Sequence, residues 1–163
     1  MNKYLLLTVV AGGVIIFDQT SKYVVQHIMA LHDYIEVIPG FFNLTYTQNP
    51  GAAFGLFGET RDTLRLAILI GISLFALIIL LFMYVRVTEK DILTHVSISI
   101  IIGGAIGNLI DRIRLQWVID FLEFYWRGYH WPAFNIADSA ITIGTMILMF
   151  NILFPKTRNI LDV

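Results

Sequence analysis

Three aspartates stand where a charge is expensive: Asp111 near the end of an apolar run, Asp120 within Val118-Ile119-Asp120-Phe121, and Asp138 within Asn135-Ile136-Ala137-Asp138-Ser139. An ionisable group among membrane-spanning apolar residues demands a partner or a task. Two carboxyls brought together in such a setting cannot both ionise cheaply, so they share a proton. That state suits amide hydrolysis of the aspartic type. The ionised member takes a proton from water as it attacks a carbonyl, and the protonated member donates to the carbonyl oxygen. The amides of Asn108 and Asn135 and the guanidinium of Arg112 are available to orient carbonyl or lipid headgroup oxygens. Residue types alone leave Asp111 and Asp120 both open as the partner of Asp138. Asp111 is followed by Arg112, a cation that favours a structural, ionised carboxylate. Asp120 has only bulky apolar neighbours, which raise its pKa and make it the better acid.

Other chemistries find less support. The chain has no cysteine, which removes thiolate nucleophiles, disulfides and cysteine-ligated metals. His27, His32, His95 and His130 are scattered without ligand spacing, so no metal and no cofactor is expected. The net charge of −1 offers no basic stripe for a nucleic-acid backbone, and no nucleic-acid motif is present. Asp18, Lys22 and Gln26 recur at i, i+4 and i+8, and Asp18 with Lys22 reads as a buried supporting ion pair.

The elements that must hold these residues are membrane spans. Of 163 residues, 57% are hydrophobic and 14% charged, outside the balance of a water-soluble domain. Crossing the hydrocarbon core takes about 20 apolar residues as helix, and the ranges 4–29, 64–85, 93–115 and 134–154 meet or approach that. The first range has a polar stripe and no small-residue cleavage site, so it reads as a retained span rather than a signal peptide. Residues 31–60 hold short β-favouring runs, 34–38, 41–46 and 48–57, parted by Pro39-Gly40 and Pro50-Gly51, and predict a small extramembrane sheet. Residues 116–131 carry Trp117, Phe121, Phe124, Tyr125, Trp126, Tyr129 and Trp131, the density of a headgroup-level aromatic belt, and read as an interfacial segment. The short polar stretch 86–92 reads as a hairpin between the second and third spans. The expected fold is a membrane all-α, four-transmembrane-helix bundle with a small extramembrane β-sheet and an interfacial aromatic segment, in one domain.

Four spans place both termini on one side. Lys3, Arg86, Lys90, Lys156 and Arg158 balance Arg61, Arg65, Arg112, Arg114 and Arg127, so charge bias alone does not orient the bundle. Gly103 and Gly107 offer a small-residue face for close helix packing, with Gly107 expected to make room for Asn108.

Across nearly the whole chain, five motifs fall in order: Phe17-Asp18-Gln19-x-x-Lys22, Asn49-x-Gly51-Ala52-Ala53-Phe54, Gly103-Gly104-Ala105-x-Gly107-Asn108-x-x-Asp111-Arg112, Val118-x-Asp120-Phe121 and Phe134-Asn135-x-Ala137-Asp138-Ser139. With four spans, this pattern resembles the lipoprotein signal peptidases, also called signal peptidase II. The resemblance implies Asp120 and Asp138 as the catalytic dyad and a diacylglyceryl-modified bacterial prolipoprotein as substrate, cut before the modified cysteine. It implies Asn49, Gly51, Asn108, Arg112 and Asn135 around the substrate or globomycin-type inhibitors, and Asp18, Lys22 and Asp111 as braces. It further implies the bacterial cytoplasmic (inner) membrane, termini cytoplasmic, with the site near the outer leaflet; a monomer surrounded by membrane lipid is the expected state. The rivals are a small proton-coupled transporter, which would relay protons through the same aspartates, and a non-catalytic lipid-binding subunit. The lack of a repeated half and the placement of the acids near one interface speak against the transporter.

Overall fold

A computed structural model describes residues 2–51, 62–88 and 91–154. Its elements in chain order are α1 (Lys3–Ile28), β1 (Tyr34–Ile38), β2 (Phe42–Asn49), α2 (Asp62–Arg86), α3 (Ile92–Leu115), β3 (Val118–Trp126), β4 (Tyr129–His130) and α4 (Ile136–Leu153). All four helices are long and apolar enough to cross a bilayer. The centre of the bundle is α3, whose apolar stretch is 67% buried inside the protein, against 17%, 6% and 17% for α1, α2 and α4. The other three therefore present most of their apolar surface outward, where lipid accepts it.

Side chains lock the helix ends. Asp91 caps α3 by accepting from the Thr94 amide at 3.1 Å, and Asn151 of α4 donates to Asp91 Oδ1 at 3.2 Å and Thr94 Oγ1 at 2.8 Å. The Tyr84 hydroxyl donates to the Lys3 carbonyl, and Lys3 Nζ reaches the Val85 carbonyl at 3.4 Å. One face of the bundle therefore carries the start of α1, the end of α2, the start of α3 and the end of α4. Down the interior runs a core of Ala11, Leu77, Tyr84, Ile98, Ile102 and Leu109.

The opposite face carries an antiparallel sheet of order β1-β2-β3-β4. It sits on the ends of α1, α3 and α4 through Val25, Met29, Tyr46, Ile119 and Phe121, with Leu115 of α3 and Ile136 of α4 packed against them. Residues 116–131, read from sequence as an interfacial segment separate from the sheet, supply two of its strands. Aromatic density hid the pairing, because the start of β3 is covered on both faces and shows no alternation of buried and exposed residues. Trp126, Tyr129 and Trp131 are nonetheless exposed, as a headgroup belt requires. The runs expected at 41–46 and 48–57 join into one strand as far as Asn49. The remainder of the second run lies outside the described residues, as do Glu89 and Lys90 of the expected hairpin, Arg61, and Lys156 and Arg158 of the tail.

Candidate functional site

Gln116 closes α3 in the left-handed region (φ 73) and turns the chain directly into β3. This brings Asp120 back beside the helix it has just left. β3 pairs with β2 in a register that sets Asp120 opposite Thr47 and Val118 opposite Asn49. Thr47 Oγ1 donates to the Asp120 carbonyl at 3.1 Å. Further along, the Phe134 carbonyl accepts from the Phe121 and Leu122 amides at 2.9 and 2.8 Å, tying the lead-in of α4 to β3. Asn135 follows at once as the N-cap of α4. Its side chain accepts from the Asp138 amide at 2.9 Å while Asp138 Oδ2 accepts from the Asn135 amide at 3.3 Å, a reciprocal capping box.

Asp120 and Asp138 converge on this junction. Asp120 is 2% exposed. Its Oδ1 accepts from Asn135 Nδ2 at 2.7 Å and its Oδ2 from Asn49 Nδ2 at 2.9 Å. Burial is the largest influence on this carboxyl, and with the nearby charge of Asp138 it overcomes the two amide donors, so the pKa is pushed up to about 6. Asp138 is half-buried and accepts at Oδ1 from Asn108 Nδ2 at 2.7 Å. Asn135 is therefore common to both acids, through its amide side chain to one and its backbone to the other.

Asn49 holds its direction because its Oδ1 accepts the Gly51 amide at 2.8 Å. Gly51 lies at φ +83, a conformation open to glycine, and an added Cβ there would strike Leu69. Arg112 donates to the Asn108 carbonyl at 3.5 Å and lies within electrostatic reach of Asp138, Asp111 and Asp120.

Asp111 departs from the expectation that Arg112 beside it would be its counter-ion. No ion pair joins the two among the described residues, since neighbours in sequence point to different sides of a helix. Its partner is Lys22 of α1, whose Nζ lies 2.8 Å from Asp111 Oδ2 and 2.8 Å from Asp18 Oδ2. The three are almost completely buried. Asp18 also accepts the Ala137 amide at 2.8 Å, adding a second cap to α4. An added Cβ on Gly107 would come within 2.7 Å of Asp18 Oδ2 and 3.3 Å of Ala137 Cβ, so this glycine makes room for Asp18 and α4, not for Asn108 as its sequence position suggested.

Every sequence-predicted site residue thus falls in or beside one cluster: Asp120, Asp138, Asn49, Gly51, Asn108, Arg112 and Asn135 around the acids, and Asp18, Lys22 and Asp111 behind them. Gln19 was missed as a site residue. Its Nε2 lies 2.9 Å from Asp111 Oδ1, 3.1 Å from the Gly107 carbonyl and 3.2 Å from Asp18 Oδ2. It stands off the i, i+4 stripe, and its place in the first motif was the one available signal. Thr47 was missed too, and its role depends on strand register. Among the described residues no group of three or more histidines and acids is arranged to hold a metal ion.

One buried and one half-buried carboxyl meet at the edge of a four-helix bundle whose helices are long and apolar enough to cross a membrane, and the fold is that of a membrane protein. Comparison with known proteins places it more closely. Residues 10–154 match the family Signal peptidase (SPase) II, and the chain belongs to that family, which makes it a peptidase. A lipoprotein signal peptidase of Desulforapulum autotrophicum is 42% identical over 94% of this chain and 95% of its own. One from Sulfurihydrogenibium sp. is 40% identical over 98% and 99%. A solved bacterial membrane enzyme, determined by the in meso method at 2.3 Å resolution, superposes with a TM-score of 0.82 at 34% identity, covering 96% of this chain and 93% of that one.

Proposed function

We propose that this protein removes signal peptides from bacterial prolipoproteins, cleaving before the diacylglyceryl-modified cysteine with a water activated between Asp120 and Asp138. The reading rests on one observation above others: acids from β3 and α4 meet across Asn135, with each of their four oxygens facing one N–H donor. The surrounding charges support a shared proton. Among the described residues, the cations set against Asp18, Asp111, Asp120 and Asp138 are Lys22 and Arg112, so ionising all four would leave an excess of negative charge in poor solvent. One proton on the dyad reduces that excess, and Asp120, more deeply buried, is the member that keeps it. Asp138 holds the negative charge, favoured by the start of α4.

In the reaction, Asp138 accepts a proton from water as the water oxygen bonds to the scissile carbonyl carbon, and Asp120 gives its proton to the carbonyl oxygen. As the C–N bond breaks, the proton on Asp138 passes to the leaving nitrogen. The hydroxyl formed from the carbonyl returns its proton to Asp120. Both acids are then as they began. Arg112 is placed to orient a substrate carbonyl or lipid oxygen, and Asn49 and Gly51 to steady the substrate chain. A lipid-tailed substrate reaches the site laterally through the bilayer. The protein works as a monomer, one domain in the cytoplasmic membrane, with termini cytoplasmic and the sheet outside.

The test is a gel-shift assay on a diacylglyceryl prolipoprotein. Asp120→Asn and Asp138→Asn should each remain folded in membrane and lose cleavage, because either amide breaks the proton-sharing pair. Turnover in both would overturn the dyad.

A further inference from the structure

The side-chain amide of Asn108 is nearly symmetric in shape, so packing alone does not decide whether its NH2 or its oxygen faces Asp138. The partners on its other side decide. Asn108 Oδ1 accepts from Lys22 Nζ at 3.1 Å and from Asn135 Nδ2 at 3.3 Å, which leaves Nδ2 toward Asp138 Oδ1 at 2.7 Å. An ammonium group has three donors and no acceptor. Those of Lys22 go to Asp18, Asp111 and Asn108, so all three are used. A reversed Asn108 would turn its NH2 on the ammonium and its oxygen on the carboxylate, mismatched at both ends.

The other two amides that touch the acids are locked differently. Asn135 is held by the Asp138 backbone amide and Asn49 by that of Gly51. Asn108 alone of the three depends on a charged side chain from another helix. We propose that Lys22 is a positioning residue: held by Asp18 and Asp111, it fixes the orientation of Asn108 and so secures the donor that keeps Asp138 in its reactive state. Docking of α1 against α3 is thereby converted into a chemical condition at the dyad. The inference rests on the proposed peptidase mechanism.

Lys22→Met alone would strand two buried carboxylates, so the test uses the charge-balanced pair Lys22→Met/Asp111→Asn, in which Asp18 keeps the Ala137 amide at 2.8 Å and the Gln19 amide at 3.2 Å. Asp18→Asn/Lys22→Met repeats it from the other carboxylate. Asn108→Leu, removing the donor to the Asp138 carboxylate together with the acceptor for Lys22 and Asn135, should lower kcat by about 10- to 100-fold. Each pair variant should lower kcat by a similar factor and leave KM for the lipidated precursor unchanged. Combining Asn108→Leu with either pair should add little, because both act through the same amide. Multiplicative effects, or a folded pair variant with wild-type kcat, would overturn the role of Lys22. Asp120→Asn and Asp138→Asn run alongside: turnover there defeats the dyad itself, whereas dead aspartate variants with a multiplicative cycle defeat only the positioning step.

Discussion

Replacing Asp120 by asparagine should change the stability of the protein in a pH-dependent way whose size follows from its surroundings. A carboxyl moved by burial from an ordinary value of 3.8 to about 6 is disfavoured in its ionised form by about 3 kcal/mol, at 1.36 kcal/mol per pH unit. Because the pKa is raised in the folded state, wild-type protein carries none of this burden below pH 3.8. It loses stability as the pH rises from 3.8 to about 6 and bears the full burden above. An amide cannot ionise and escapes it. The substituted side chain brings a separate, pH-independent penalty: its NH2 must face Asn49 Nδ2 or Asn135 Nδ2, both donors, at about 1–3 kcal/mol. The Asp120→Asn variant should therefore be the less stable protein at pH 4 and gain about 2.4 kcal/mol relative to wild type by pH 8. Thermal unfolding in detergent, followed by the fluorescence of the three tryptophans, reads this as a relative shift of roughly 5–10 °C between the two pH values. A melting difference that is the same at pH 4 and pH 8 would refute the idea that burial holds Asp120 protonated.

Gly107→Ala should push Asp18 away from Lys22 and the Ala137 amide, lowering stability by about 1–3 kcal/mol with a visible drop in melting temperature. Asn151→Leu removes donors to Asp91 and Thr94 at the far end of the bundle. It should reduce stability by about 1–3 kcal/mol with kcat unchanged, since the acids lie at the opposite face. EDTA should leave cleavage unaffected, and loss of activity on chelation would point to a carboxylate-bound metal. An unlipidated precursor should be cut poorly, and equal rates with and without acyl chains would contradict lateral entry.

The spans were legible because a bilayer imposes a length and an apolar composition that any 20-residue stretch either meets or fails. The acids were legible for the related reason that charge in such surroundings demands an explanation. The i, i+3 spacing of Asn135 and Asp138 announced a helix start, which the capping box bears out, because capping is local in sequence. Long-range pairing was not legible. That residues 118–126 enter a sheet with 42–49 depends on the left-handed turn at Gln116 and on a register between residues about 70 to 80 apart in the chain. Asp111 could be assigned Arg112 as counter-ion by adjacency, yet the helix directs the two side chains apart and an ammonium from α1 takes the place. Gln19, Thr47 and the direction of the Asn108 amide belong to the same class. Each is set by which groups meet across elements, and hydrogen bonding distinguishes donors from acceptors only after tertiary packing has brought those groups within about 3 Å of one another.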